Sequence, residues 1–155
     1  MKWKKLTLCL AVPLAVGGLS WALTRQGIET FQNQTVHPLL TPPQWAFPVV
    51  WTALFLMMGL ASFLVWDSQE QGRRVGGALE LYGLQLGSSL IWTVLFFTGR
   101  RYALAFFWLL AYWLLILWTA AKFFRCRKAA GRLMVPYLLW VAFAGYLNFA
   151  IWQLN

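Results

Sequence analysis

Residues 102–121 read YALAFFWLLAYWLLILWTAA, twenty consecutive residues without a charged side chain. A helix needs about 20 apolar residues to cross roughly 30 Å of hydrocarbon, so this stretch predicts a transmembrane helix. The five stretches of suitable length are 6–23, 45–66, 78–97, 102–123 and 133–154. The sequence therefore predicts an all-α membrane protein, a bundle of five transmembrane helices that forms a single domain over residues 1–155.

The composition excludes several other classes of protein. Of the 155 residues, 61% are hydrophobic and 11% are charged, against about 45–50% and 25% in a soluble domain. A soluble globular domain, a disordered chain and an ordinary nucleic-acid-binding protein are thereby excluded. The net charge of +9 fits basic loops that face anionic lipid better than it fits a nucleic-acid partner.

Positive charge is distributed unevenly between the two sides of the predicted bundle. The N-terminus and the second and fourth loops carry ten basic residues, namely Lys2, Lys4, Lys5, Arg73, Arg74, Lys122, Arg125, Arg127, Lys128 and Arg132. The opposite side carries three, Arg25, Arg100 and Arg101. This bias predicts a cytoplasmic N-terminus and an external C-terminus, and we expect a bacterial cell membrane. Residues 1–20 also fit a cleavable signal peptide, so their retention stays open.

The first loop, predicted over residues 24–44, is much longer than the other connectors. It contains His37-Pro38 and Thr41-Pro42-Pro43, and proline stiffens the backbone toward extended conformations. We therefore expect Pro42 and Pro43 to belong to an ordered cap over one mouth of the bundle. A flexible connector is the alternative.

Three predicted helices each carry a stripe of aromatic and small polar residues on one face. The stripes are Tyr82, Gln85, Ser89 and Trp92; Phe47, Trp51, Leu54, Met58 and Ser62; and Tyr137, Trp140, Ala144 and Asn148. If these stripes converge, they line a cavity suited to a large, planar, hydrophobic ligand that stacks on indole rings. Ordinary helix packing is the alternative.

The third span carries glycines on the face opposite its polar stripe. Gly76, Gly83 and Gly87 cluster there, and Gly83-x-x-x-Gly87 is a spacing that lets helix backbones approach closely. This face predicts a homodimer contact, although the glycines could equally serve packing inside one bundle.

Conventional catalytic groups are scarce. His37 is the only histidine, and Cys9 and Cys126 lie far apart, so neither a metal site nor a bound cofactor is expected. A serine-type triad is disfavoured because the sequence has no G-x-S-x-G motif. No acid or base lies near the centre of a predicted span, which argues against a proton relay.

Several motifs resemble those of the TspO/MBR family, the tryptophan-rich sensory proteins and translocator proteins also called peripheral benzodiazepine receptors. The matching stretches are Thr41-Pro42-Pro43-x-Trp45, Phe47-Pro48-x-x-Trp51-Thr52, Met58-Gly59, Tyr82-x-x-Gln85-Leu86, Trp92, Phe96-Phe97, Val135-Pro136-Tyr137-Leu138-x-Trp140-x-Ala142-Phe143 and Leu147-Asn148-x-x-x-Trp152. The resemblance covers about residues 10–155.

The resemblance implies a five-helix bundle, commonly a homodimer, whose cavity is capped by the first loop and binds porphyrins such as protoporphyrin IX. A sensor, regulator or buffer of tetrapyrrole or stress signalling is the function it implies. Light-dependent oxidative degradation of the porphyrin, with Trp51 and Trp140 as the reactive residues, and ligand transport are the alternatives. The residues expected to contact the ligand are Phe47, Trp51, Gln85, Ser89, Trp92, Tyr137, Trp140, Ala144, Asn148, Pro42 and Pro43.

The sequence departs from the family pattern at a few positions. Ser89 stands where many relatives have asparagine, Val94 where they have proline, and Phe31-Gln32 where a Trp-Tyr pair is common. These changes put the usual polar contacts and the photochemistry in doubt. Cholesterol binding is not favoured, because no basic residue follows Tyr137 to complete the usual pattern.

Overall fold

The computed structural model describes residues 2–68 and 73–155, without the side chain of Arg73. Over these residues the chain forms α1 (Lys2–Gln34), α2 (Ala46–Trp66), α3 (Arg73–Thr93), a π-helical turn (Val94–Thr98), α4 (Tyr102–Cys126), α5 (Lys128–Leu133) and α6 (Val135–Leu154). Five segments are long and apolar enough to cross a membrane: α1, α2, α3 with the π turn, α4, and α5 with α6. The predicted fold class, a bundle of five transmembrane helices, is confirmed.

The long helices are arranged around the bundle in the order α2, α1, α3, α4 and α6. The two helices at the ends of this order, α2 and α6, are not closely packed against each other. Helix α1 packs against α2, α3 and the π turn, α3 packs against α4, and α4 packs against α6. The short α5 packs against α2, α4 and α6. Among the described residues, α2 and α6 have little direct backbone contact, and aromatic side chains span the space between them. We call this position the α2–α6 seam.

Helix α1 is longer than the sequence predicted. The first loop was expected over residues 24–44, but α1 continues to Gln34, so the connector to α2 begins at Thr35. At about 1.5 Å per residue, its 33 residues are about 50 Å long, well beyond the hydrocarbon thickness. Residues 25–34 are mostly polar, and that composition suggested a loop.

Packing against the π turn holds the outer turns of α1 in a helical conformation. Phe31 contacts Phe96 and Phe97, with ring centroids 5.2 and 5.3 Å apart. A Cβ atom on Gly27 would lie 2.6 Å from the carbonyl oxygen of Phe97, so α1 and the π turn meet backbone to backbone. This tertiary contact overrides the weak helix preference of the polar segment.

A second close approach joins α1 to α2 nearer the other end. A Cβ atom on Gly59 would lie 2.7 Å from the carbonyl oxygen of Cys9, so glycine allows the two backbones to touch. Beyond this contact, Lys2 Nζ lies 3.3 Å from Asp67 Oδ2, and Lys5 lies over the ring of Trp66. The start of α1 is therefore fixed against the end of α2.

We expect Gly27→Ala to destabilise the protein, because the new methyl group would collide with rigid backbone of the π turn. The cost of such overpacking is about 1–3 kcal/mol. Thermal unfolding in detergent would measure it. Gly18→Ala is the matched control on α1, since a Cβ atom at Gly18 meets nothing within 4 Å. If the two variants melted at the same temperature, the backbone contact would not be as close as described.

Candidate functional site

A fully buried polar cluster lies in the middle of the bundle. Gln85 on α3, Tyr112 on α4 and Tyr137 on α6 are 0%, 1% and 0% exposed. The Tyr137 hydroxyl donates to Gln85 Oε1 at 3.0 Å, and the hydroxyls of Tyr112 and Tyr137 are hydrogen-bonded to each other. Gln85 Nε2 lies 3.7 Å from Met58 Sδ of α2. The cluster therefore joins three helices by hydrogen bonds and touches a fourth through sulfur.

A second polar cluster lies about two to three helical turns away, toward the π turn. Trp92 Nε1 donates to Asn148 Oδ1 at 3.0 Å, and Asn148 Nδ2 donates to the carbonyl oxygen of Tyr102 at 2.8 Å. The hydroxyl of Tyr102 lies 3.2 Å from Thr35 Oγ1 at the end of α1. Asn148 is completely buried, and its oxygen and one of its N–H groups are occupied by the protein itself.

The two clusters change the interpretation of several predicted ligand-binding residues. Gln85, Trp92, Tyr137 and Asn148 were expected to face a ligand, and the structure brings them together as partners of one another. Ser89 is also buried, one helical turn from Gln85 on α3. In this conformation these side chains connect helices, because hydrocarbon offers no other partners for their polar atoms.

The predicted tryptophans lie at the α2–α6 seam. The rings of Phe47 and Trp140 meet edge to face at 5.9 Å, and those of Trp51 and Tyr137 meet at 6.2 Å. Trp51 and Trp140 are only partly buried. These ring contacts join the stripes predicted on α2 and α6, and Ala144 follows Trp140 by one turn on α6.

The indole nitrogen of Trp140 is a special feature of the seam. Trp140 Nε1 is buried, and the described residues offer it no hydrogen-bond partner. A buried polar group without a partner costs about 1–3 kcal/mol, so most proteins avoid it. The seam thus presents a hydrogen-bond donor without a partner among the described residues, on a ring that contacts Phe47.

The connector between α1 and α2 is tied down at both ends. The backbone N–H of Val36 donates to Asn155 Oδ1, and Asn155 Nδ2 donates to the carbonyl oxygen of Val36, each at 3.1 Å. At the other end the Ala46 N–H donates to the carbonyl oxygen of Pro43 at 2.9 Å. Pro42 is partly buried and Pro43 is exposed, directly before the first turn of α2.

Two surface clefts lie along α4 and α6, with volumes of about 370 and 410 Å³. Neither is lined by a residue that the sequence predicted for the site. Tyr112 and Tyr102, which complete the two polar clusters, were not singled out from the sequence, whereas Met58 belongs to the predicted stripe of α2. A signal for Tyr112 was present, since a tyrosine inside a long uncharged span needs a partner for its hydroxyl.

The glycine face of α3 points away from the described bundle. Gly76, Gly83 and Gly87 are exposed, and a Cβ atom at any of them would meet nothing within 4 Å. The alternative that these glycines serve packing inside one bundle is therefore not supported by the described residues. The face is left open for contact with lipid or another chain.

Comparison with known protein families identifies the family of this chain. The sequence pattern of the TspO/MBR family matches residues 9–153, almost the whole chain. The chain belongs to the TspO/MBR family. Its relatives include a tryptophan-rich protein TspO of Chlorobaculum tepidum, 38% identical over 150 residues that cover 97% of this chain and 95% of the relative.

Two further relatives cover about three quarters of this TspO/MBR chain. A tryptophan-rich sensory protein of Cereibacter sphaeroides is 40% identical over 118 residues, 76% of this chain and 72% of the relative. The Homo sapiens translocator protein is 33% identical over 129 residues, 76% of this chain and 70% of the relative. Together with the five apolar helices, this membership makes the chain an integral, multi-pass membrane protein.

We expect Asn148→Ala and Trp92→Phe to show coupled effects on stability, because each removes one partner of the same buried hydrogen bond. A double-mutant cycle, followed by unfolding in detergent, would give a coupling of about 0.5–1.5 kcal/mol. Asn33→Ala, at an exposed position of α1, is the control and should show no coupling to Trp92→Phe. Additive effects of Asn148→Ala and Trp92→Phe would contradict the described contact.

Proposed function

We propose that this chain binds a porphyrin-like tetrapyrrole at the α2–α6 seam and acts as a sensor, regulator or buffer of that ligand. The observation that carries the proposal is the pair of partly buried tryptophans, Trp51 and Trp140, at a position where the helix backbones are not packed together. A planar macrocycle needs flat apolar walls and few polar contacts. Phe47 and Tyr137 extend the same walls.

The unpaired Trp140 N–H supports a ligand at the seam rather than simple packing. A polar atom of a porphyrin edge or substituent would give this donor the partner it lacks. By contrast, Gln85, Trp92 and Asn148 already form hydrogen bonds with other helices. We therefore propose that Gln85, Ser89, Trp92 and Asn148 shape and stiffen the wall behind the ligand, and that Ala144 leaves room beside Trp140.

The connector of Pro42 and Pro43 is proposed to cap this site from one end. Support comes from its fixed ends, which tie it to Asn155 and to the start of α2. The aromatic ring of His37 lies against Phe31 with centroids 4.8 Å apart, which orders the first part of the connector. A tied connector can exclude water from an apolar ligand, whereas a free one cannot.

We also propose that the N-terminus faces the cytoplasm and that the membrane is bacterial. The orientation is supported by the basic residues of the second and fourth loops and of the N-terminus, which outnumber those of the other loops by ten to three. The contact of Lys2 with Asp67 joins the start of α1 to the start of the second loop, which follows α2.

We expect Trp51→Phe and Trp140→Phe each to weaken binding of protoporphyrin IX by about 2- to 10-fold, because each removes stacking area worth about 0.5–1.5 kcal/mol. Titration of the purified protein, followed by the porphyrin absorption band, would give Kd. Trp118→Phe is the matched control: Trp118 is 56% exposed, on α4. Equal Kd values for all three variants and the unaltered protein would refute stacking at the seam.

The same complex distinguishes binding from light-driven breakdown. A binding role predicts that illuminated protoporphyrin IX bleaches no faster with the protein than with detergent alone. Faster bleaching that Trp51→Phe or Trp140→Phe abolishes would instead favour the degradative alternative.

The open glycine face of α3 is proposed to form a homodimer contact. We expect Gly83→Leu with Gly87→Leu to convert dimers to monomers, because leucine would hold the helix backbones apart. Size-exclusion chromatography with light scattering in detergent would measure the mass. Gly18→Leu, at an equally open position on α1, should leave the dimer intact. Dimers that persist in the double variant would place the contact elsewhere.

A further inference from the structure

The outer surface of α4 and α6 carries the two clefts described above, and these lie end to end. The 370 Å³ cleft is lined by apolar residues of both helices, including Phe106, Leu110 and Phe149, and two of its lining residues are the small Ala142 and Gly145. The 410 Å³ cleft lies at the start of α4 and is lined by Arg100, Arg101, Leu104 and Trp152, among others.

One aromatic ring separates the two clefts. Trp152, which lines the second cleft, contacts Phe106 and Phe149 of the first, with ring centroids 6.2 and 5.9 Å apart. Leu104 of the second cleft precedes Phe106 of the first on α4. The two clefts therefore adjoin each other at Trp152, and we call the pair the α4–α6 groove, with an apolar part and a basic end.

The basic end has two positive charges that form no ion pair among the described residues. Arg100 and Arg101 are exposed, and neither forms an ion pair within residues 2–68 and 73–155, where Lys2–Asp67 is the ion pair observed. Arg100 adopts a positive φ of 50°, which is uncommon for a residue with a side chain. The turn is fixed by the Arg101 N–H, which donates to the carbonyl oxygen of Leu95 at 3.1 Å.

The chemistry of the groove matches one class of ligand. A guanidinium pair binds the oxygens of a phosphate, and a tryptophan beside it suits the boundary between headgroup and hydrocarbon. A groove lined by small and aromatic residues suits an extended acyl chain. Free phosphate would use only the basic end, and a sterol, which has no charge, would use only the apolar part.

We propose that the α4–α6 groove binds a glycerophospholipid, with its phosphate at Arg100 and Arg101 and one acyl chain along Ala142 and Gly145. Charge complementarity at one end and continuity with the apolar part carry the assignment. The site is distinct from the α2–α6 seam, because the two share no lining residue. Its occupant is a resident lipid of the leaflet that meets the start of α4.

The test uses delipidated full-length protein in a non-ionic detergent, titrated with dioleoylphosphatidylglycerol and observed by native mass spectrometry. We expect Arg100→Gln with Arg101→Gln to weaken binding by about 10- to 30-fold, from the usual contribution of a basic residue to anionic-lipid binding. Arg100→Lys with Arg101→Lys should keep most of the affinity. Arg125→Gln with Lys128→Gln, an exposed basic pair near the opposite end of α4, should have little effect.

The apolar part is tested separately. Ala142→Phe should fill the groove and weaken lipid binding several-fold, whereas Ala111→Phe, at an exposed position of α4 outside the groove, should not. Dioleoylglycerol, inorganic phosphate and cholesterol serve as probes that each lack part of the proposed ligand, and each should bind more weakly than the phospholipid.

Three results would overturn the proposal. Equal binding of dioleoylglycerol and dioleoylphosphatidylglycerol would remove the phosphate from the recognition, and cholesterol that displaces the phospholipid would make the groove a sterol site. Equal loss in the Arg100/Arg101 and Arg125/Lys128 glutamine variants would reduce the effect to net charge. Tetrapyrrole binding at the seam is measured on the same variants and should not change.

Discussion

The polar side chains inside this bundle can find partners only within the protein, because the surrounding hydrocarbon offers none. Gln85, Tyr112 and Tyr137 meet this requirement in one cluster, and Trp92, Asn148 and the Tyr102 carbonyl meet it in a second. Both clusters join α3, α4 and α6, while α2 takes part only through the sulfur of Met58. These hydrogen bonds hold α3, α4 and α6 together. Between α2 and α6, the described contacts are those between aromatic rings.

The molecule thus has two differently stabilised parts: α3, α4 and α6 are joined by buried hydrogen bonds, and the α2–α6 seam is held by contacts between aromatic rings. Aromatic edges at about 6 Å are held by dispersion and weak electrostatics, which a stacked macrocycle can replace without leaving a polar atom unpaired. Displacing Asn148 or Gln85 would break hydrogen bonds that nothing else in the membrane restores. For the proposed function, the seam is therefore the position where binding of a large apolar ligand would cost the least free energy.

The sequence predicts the spans well because uncharged runs of about 20 residues are rare outside membranes. It also predicts the aromatic and polar stripes on single helices, since helical spacing fixes which residues of one helix share a face. The end of α1 could not be predicted, because Gly27 and Phe31 are held by the π turn, a segment distant in sequence. Pairing inside the polar clusters was equally inaccessible, because spacing along one helix says nothing about partners on another.

The tied connector has a mechanical consequence. Only residues 37–45 lie between the anchor at Val36 and the first turn of α2, and three of these nine are prolines, at positions 38, 42 and 43. Such a proline-rich segment has a stiff backbone, so it is not a flexible loop. Because the Ala46 N–H donates to the carbonyl oxygen of Pro43, a displacement of the connector would also displace the first turn of α2 and the Phe47 ring that contacts Trp140. The geometry of the connector and the geometry of the aromatic seam are thus coupled.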